Sequence, residues 1–328
     1  MEGSNKAKLQ ILVPQYMEDE SVIKTLLDSI EIQQCVDLKE DVGVIIVNDG
    51  SAVHLSEEFL DNYTFPIDYH LHEHRGVSAT RNALLDYATA EYVMFCDADD
   101  CFFNACGLWM LFGEMEKGFD SLLSVFLEES RNQKDGKIRF VTRERDNVFV
   151  HGKVHRRQYL IDQNIRWNES LTIHEDSYFN TLCQALSDHV VYMTTPFYLW
   201  RWRDTSVCRH DPKYRLKTYT NLLDSYESLV EEFLRRGRRE NAEAMFVMIT
   251  FDSYYTMSKP DWINQENKEY RDSVEKRFAE YFQKHKDLWE SIDFQKKMII
   301  SNNVRTRSVG EGMQMETMTI EQWLQVKA

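Results

Sequence analysis

The stretch that most constrains this chain is Tyr92-Val93-Met94-Phe95-Cys96-Asp97-Ala98-Asp99-Asp100, where an apolar run ends in three carboxylates within four positions. The apolar half shows no polar alternation, the pattern of a strand buried on both faces. Three like charges resist burial together, so they belong at a mouth or beside a cation. In an open α/β sheet that mouth lies beyond the carboxyl ends of the strands. Oxygen ligands on a short turn suit a hard divalent ion such as Mg2+ or Mn2+, which completes its shell with water and substrate phosphates. The competing local reading is an acidic turn that caps the next helix.

The preceding residues repeat this layout. Leu9 to Val13 reads as a first strand stopped by Pro14, and Ser21 opens a helix with Val22, Ile23, Leu26, Leu27 and Ile30 on one side. Gly43 to Val47 is a second buried strand, ending in Asn48-Asp49-Gly50-Ser51. Ile67 to His72 is a third, and Ser78 or Thr80 starts a helix through Ala88. This order predicts an α/β fold with a mostly parallel sheet flanked by helices. Polar groups collect after each strand: Tyr16, Asp49, Arg75 to Arg81, then Asp97 to Asp100. A ligand site at the strand ends accounts for all four, whereas a purely structural sheet has no need of them.

Charge narrows the function. A net charge of −15 over 328 residues argues against a protein that coats nucleic acid or anionic lipid. Between Arg201 and Glu240 ten basic residues face seven acidic ones, the composition of a phosphate or acceptor surface or of a solvated helix face. No apolar run approaches the roughly 20 residues that cross a bilayer. The first residues lack a secretory signal pattern, so no integral membrane association is expected. Six cysteines include no Cys-x-x-Cys pair, which fits a cytoplasmic, reducing setting.

Val13-Pro14-Gln15-Tyr16, Val47-Asn48-Asp49-Gly50-Ser51, Gly76-Val77-Ser78-Ala79-Thr80-Arg81-Asn82 and Phe95-Cys96-Asp97-Ala98-Asp99-Asp100 occur in that order. Together they resemble the ordered signature of glycosyltransferase family 2. The resemblance continues through Gly152 to Arg157, Leu171-Thr172-Ile173-His174-Glu175-Asp176, and Trp200 to Ser206. It implies a GT-A-like fold and inverting transfer of a sugar from a nucleotide-diphosphate donor, UDP-sugars being the family's commonest donors. Departures from the family's pattern are Met17 after the tyrosine, Asn48 before the Asp-Gly-Ser, and His72-Glu73-His74-Arg75 before Gly76.

The same resemblance implies roles. Pro14, Tyr16 and Asp49 would meet the nucleotide, although Asp-Gly is also a common turn. Gly76 and Arg81 would meet the diphosphate at a helix N-terminus; an ordinary helix capped by Ser78 is the plainer reading. Asp97, Asp99 and Asp100 would hold the divalent ion. Asp176, with Glu175 beside it, would be the general base; alternatively both acids complement a helix dipole. Arg201, Arg203 and Ser206 would close over the diphosphate, or sit on an edge strand with the arginines facing water. His70, His72 and His74 alternate on one strand, a poor geometry for tetrahedral zinc.

The domain reading is residues 1–212 as the GT-A-like catalytic domain and 213–328 as a helical C-terminal appendage packed on it. Apolar stripes run through Leu222 to Leu234, Ala244 to Met257 and Val274 to Trp289. Acceptor binding or homo-oligomer contacts are the expected uses of these helices. The acceptor is a hydroxyl of unspecified origin: glycan, polymer, lipid-linked sugar, protein or modified base. Three other functions are weighed. A nucleotidyltransferase lacks support because no Gly-rich basic loop follows the first strand, and a dehydrogenase because no Gly-x-Gly-x-x-Gly does. A catalytically silent sugar-nucleotide-binding scaffold is disfavoured by the retained Asp97, Asp99 and Asp176.

Overall fold

The computed structural model describes residues 7–132, 135–204, 213–264, 267–308 and 319–327. They divide into two compact units, one up to residue 207 and one from residue 208 onward. The expected boundary after residue 212 falls at a stretch, 205–212, that lies outside the described residues.

The first unit is built on a sheet of nine strands: β1 (Leu9–Gln15), β2 (Val42–Asp49), β3 (Ile67–His72), β4 (Tyr92–Phe95), β5 (Cys101–Phe102), β6 (Ser121–Arg131), β7 (Ile138–Arg143), β8 (Lys153–Arg156) and β9 (Val190–Trp200). The spatial order is β3-β2-β1-β4-β8-β6-β9-β5, with β7 also paired to β6. The first four strands are parallel throughout. Beyond β4 the pairings are mixed, β8 running antiparallel to both neighbours and β6 parallel to β9. Every residue of β2 and β4 is buried, as their unbroken apolar runs require.

β1 runs on through Pro14, which pairs with Val47, instead of stopping there. On its other side β4 ends opposite Leu12, so no ladder bond is asked of the proline from that direction. Helix α1 (Glu20–Glu31) begins one residue earlier than Ser21, because Asp19 caps it through the Val22 N–H. Helix α2 (Val77–Tyr87) follows β3 and is opened by Gly76 at φ +88°, a backbone shape natural only to glycine. Ser78 is therefore not its cap; its hydroxyl donates to the Leu171 carbonyl. Gln10, buried within β1, accepts from the Thr89 and Ala90 N–H groups and thereby fixes the link from α2 into β4. Helix α3 (Gly107–Met115) and helix α4 (Glu175–Ala185) complete the parts that matter for the site. α4 starts from His174 in the left-handed region, φ +64°.

β9 is an interior strand between β6 and β5, with Tyr198 fully buried. This corrects the edge-strand alternative for Trp200 to Arg203: the strand ends at Trp200, and the arginines leave it toward the acidic turn.

The second unit is helical, and most of each expected stripe is buried, Leu234 being exposed. Helix Tyr219–Arg235 buries Leu222, Leu223, Leu229, Val230 and Phe233, while helix Arg239–Met257 is buried on nearly every side from Phe246 onward. Helix Lys268–Lys284 contributes Val274, Phe278, Tyr281 and Phe282. Polar anchors tie the helices together: Arg215 and the Tyr219 phenol both donate to Asp252, and Glu227 accepts from Arg277 and Lys284. The arginine cluster at 235–239 is ion-paired, Arg235 and Arg236 with Glu232 and Arg239 with Glu243 and Asp287.

Candidate active site

The parallel order β3-β2-β1-β4 places a switch point where chain connections depart on either side of β1, and the polar residues singled out above lie at this end of the sheet. Its centre is Arg81. The side chain is 4% exposed, projects from α2, and lies over the Trp167 ring at 4.5 Å. Nη1 donates to Asp176 Oδ1 at 2.6 Å and Glu175 Oε1 at 3.1 Å, and Nη2 to Asp97 Oδ1 at 3.2 Å. One guanidinium thus joins the first acid of the turn after β4 to both acids that open α4. Burial works against its charge, but Asp176, Asp97 and Glu175 outweigh burial and raise its already high value. The expectation that Arg81 reaches phosphate is not what its contacts show: the fork is turned onto carboxylates.

The three acids of the turn have different surroundings. Asp97 and Asp99 are 33% and 28% exposed, while Asp100 is fully buried. Asp100 accepts from the Tyr198 phenol at 2.5 Å and from the Arg201 N–H at 2.9 Å. The same phenol oxygen accepts from the Asp97 N–H at 3.3 Å. Tyr198 therefore fixes the backbone and the last acid of the turn together. Asp99 Oδ2 accepts from Arg203, whose guanidinium also reaches Glu18 Oε1. Burial, then repulsion from Asp97, pushes the Asp99 carboxyl up; Asp100 is pushed much further by burial and by the same neighbour. Asp97, Asp100 and His151 bring one ligand atom each within 4.8 Å of one another. Ser206 lies outside the described residues.

Asp176 is 17% exposed, in contact with Arg81 and not sealed beneath hydrocarbon. Burial raises its carboxyl to about 8; Arg81 opposes that shift, and Glu175 and Asp97 add to it. Lys153 of β8 is buried nearby, donates to the Phe149 carbonyl, and is pushed down by burial to about 8. Asn180 of α4 holds the Val148 and Phe149 carbonyls, so the loop before β8 is tied to the helix that carries Asp176.

This ordered array of a strand-end acid, an acid turn and a helix-opening acid pair coincides with the match to the family model "Glycosyl transferase family 2", which spans residues 10–179. The chain belongs to glycosyltransferase family 2. EpsH of Bacillus subtilis (strain 168), named as a glycosyltransferase, is 25% identical over 244 residues, covering 67% of each chain. Among solved structures, S. aureus TarS residues 1–349 in complex with UDP-GlcNAc align at a TM-score of 0.58 and 18% identity, over 94% of this chain and 97% of that one. The chain spans only 53% of a longer TarS structure, which aligns at a TM-score of 0.61 and 15% identity. The mannosyltransferase PcManGT from Pyrobaculum calidifontis, in complex with GDP-Man and Mn2+, aligns at 0.50 and 12% identity over 98% of this chain. These structural likenesses establish a GT-A-like fold.

In this family-2 glycosyltransferase the remaining strand-end groups lie as follows. Asp49, buried at the end of β2, accepts from the Arg75 N–H at 2.8 Å and the Gly76 N–H at 2.9 Å. His74 Nδ1 approaches Asp49 Oδ2 at 2.9 Å, and the Tyr16 ring packs against the His74 ring with centroids 4.8 Å apart and planes tilted by 32°. Pro14 lies in β1, two residues before Tyr16, which follows the strand. His70 and His72 pack against Tyr87 instead of converging with His74. Glu18, His151, Trp167 and Tyr198 belong to the site region and were missed from sequence. Only Tyr198 and Glu18 gave a signal, through their nearness in sequence to Trp200 and Tyr16. Among the described residues no helix is long and apolar enough to cross a membrane.

Proposed function

We propose that this glycosyltransferase takes a UDP-sugar with a divalent cation, Mn2+ or Mg2+, and transfers the sugar with inversion to an acceptor hydroxyl. The observation that carries the reading is the Arg81 bridge, which keeps the Asp176 carboxyl beside the acid turn at one mouth. Asp97 and Asp99 are the residues that would hold the ion. Their partial exposure leaves oxygens available, and the upward shift of Asp99 marks negative charge that a cation would relieve. Asp100 takes a supporting role, since both its oxygens are engaged from within. When bound, the ion supplies a positive centre that stabilises charge on the departing diphosphate.

Asp176 takes the proton of the attacking hydroxyl in a single displacement, which needs no covalent nucleophile. Its elevated value lies near a physiological working pH, where a base combines proton affinity with a usable ionised fraction. Arg203, on the Asp99 carboxylate, and Arg201, on the Asp99 backbone carbonyl, are the arginines that would turn to phosphate oxygens when the donor arrives. UDP as the donor nucleotide is supported by the UDP-GlcNAc complex of TarS, and a cation by the Mn2+ in PcManGT.

The test is release of UDP from a panel of UDP-sugars with Mn2+, with EDTA, and in Asp176→Asn. Chelation should abolish turnover and Mn2+ restore it. Asp176→Asn should lower kcat by about 10²–10⁴ while UDP still binds. Equal rates for wild type and Asp176→Asn would refute the assignment. NMR of the product linkage tests inversion.

A further inference from the structure

We propose that a phosphate-type oxyanion binds against the Arg157 guanidinium, in a cavity beside the last turn of α2 and at the far end of β4 from the acid turn. This goes beyond the sugar-transfer reading, since it uses none of the residues at the mouth.

Arg157 follows β8 and opens the short helix Arg157–Asp162. β8 runs antiparallel to β4, so its last residue pairs with the first of β4, Arg156 with Tyr92. The Arg157 N–H donates to the Glu91 carbonyl at 2.8 Å, which anchors the residue just ahead of β4. Asp97 lies past the other end of that strand. The cavity here has a volume of about 260 Å3. Leu85, Leu160 and Ile165 give it a buried apolar floor, and Asp86, Arg157 and Arg166 line it with charge.

Those charges do not balance. Arg166 is taken up: Nη1 and Nη2 donate to the two oxygens of Asp86 at 2.6 and 2.9 Å, and Nη2 also reaches the Asn82 carbonyl at 3.2 Å. Both Asp86 oxygens are thereby claimed. Among the described residues no hydrogen bond or ion pair engages the Arg157 side chain, and its Nε is buried without a partner. A guanidinium carries five donors in a planar fork, a shape that two oxygens of a phosphate or carboxylate fill. Buried donors left without acceptors are costly, and a charge over an apolar floor attracts an anion more strongly than one in open water. A dianion gains more from that charge than a monoanion, which favours phosphate over a simple carboxylate. Cavities that take drug-sized ligands hold about 300–1,000 Å3, so this one suits a small ion with its waters and not a nucleotide sugar.

The experiment is titration calorimetry of inorganic phosphate, methyl phosphate and acetate on the full chain, without metal or nucleotide. Wild type is compared with Arg157→Gln, Arg157→Lys and Asp86→Asn. Wild type should bind phosphate, and Arg157→Gln should weaken it about tenfold or more, the worth of a charge-assisted contact. Arg157→Lys keeps the charge without the fork and should fall between them. Asp86→Asn removes the lining carboxylate and should tighten binding, a gain that a damaged fold cannot imitate. Methyl phosphate binding as well as phosphate marks phosphomonoesters as ligands of the same site; phosphate binding alone marks the free ion. The inference is overturned if wild type binds no phosphate at millimolar concentration, if Arg157→Gln binds it unchanged, or if acetate binds equally well. It is also overturned if Asp86→Asn brings no gain, or if UDP with Mg2+ displaces the phosphate, which would place the anion at the mouth.

Discussion

Replacing Arg81 by methionine keeps most of the side chain's length and removes its charge from among the carboxyl groups of Asp97, Glu175 and Asp176. The wild-type residue makes contacts of 2.6, 3.1 and 3.2 Å while almost fully buried, and its flat face covers Trp167. Removing one partner of such a buried ionic network costs about 3–5 kcal/mol, because the others are left uncompensated in a poor dielectric. The lost stacking adds about 0.5–2 kcal/mol. For a unit of this size each kcal/mol lowers the melting transition by about 2–4 °C, so a fall of about 10 °C or more is expected at pH 7. Arg81→Lys keeps the charge but lacks the fork that serves Asp97 and Asp176 from separate nitrogens, so it should recover only part of the loss. Differential scanning fluorimetry of the three proteins at several pH values checks this. The methionine penalty should shrink in acid, where the carboxylates take up protons and no longer need a counter-charge. A methionine variant as stable as wild type at pH 7, or a penalty that grows in acid, would refute the reasoning.

Three further outcomes follow from the same geometry. With Asp176 raised to about 8, it is protonated and inactive below that value, so kcat/KM should climb with pH through the region near 8; a flat profile from pH 6.5 to 9 removes it as the base. Tyr198→Phe deletes the donor to buried Asp100 and should cost about 1–3 kcal/mol in chemical denaturation, with weaker Mn2+-dependent UDP binding. Glu227 is held well below the usual carboxylate range by His285, Lys284 and Arg277. Its stabilising contribution is complete above the ordinary glutamate value and is lost as pH falls through the depressed folded value. Denaturation of Glu227→Gln should therefore show a deficit of about 1–3 kcal/mol at pH 7 that narrows toward pH 3.

How legible the site was depended on distance along the chain. Strand ends, the acid turn and the acid pair opening α4 are local patterns, and the parallel arrangement of β1 to β4 follows from apolar runs alternating with amphipathic ones. The direction of Arg81 was not legible: its helix position is equally suited to phosphate, and only the docking of α4 shows that carboxylates claim it. The cap of α2 was misjudged because Ser78 has the right chemistry, yet the left-handed Gly76 two positions earlier sets the helix start. Tyr198 and His151 reach Asp100 across about a hundred and about fifty residues of chain respectively, pairings that no local period encodes. Asn48, Ser51 and Val53 form a small turn network that a bare Asp-Gly reading does not anticipate.

The phenol of Tyr198 gives the order in which this site comes into being. Residues 95–100 hold the acids, but the hydroxyl and the amide that fix their orientation arrive a hundred positions later, with Tyr198 and Arg201. A nascent chain that has emerged only as far as residue 185 possesses all the acidic motifs and no working mouth. Nucleotide affinity should therefore appear abruptly in a series of progressively longer fragments, once β9 has slid into the gap between β6 and β5.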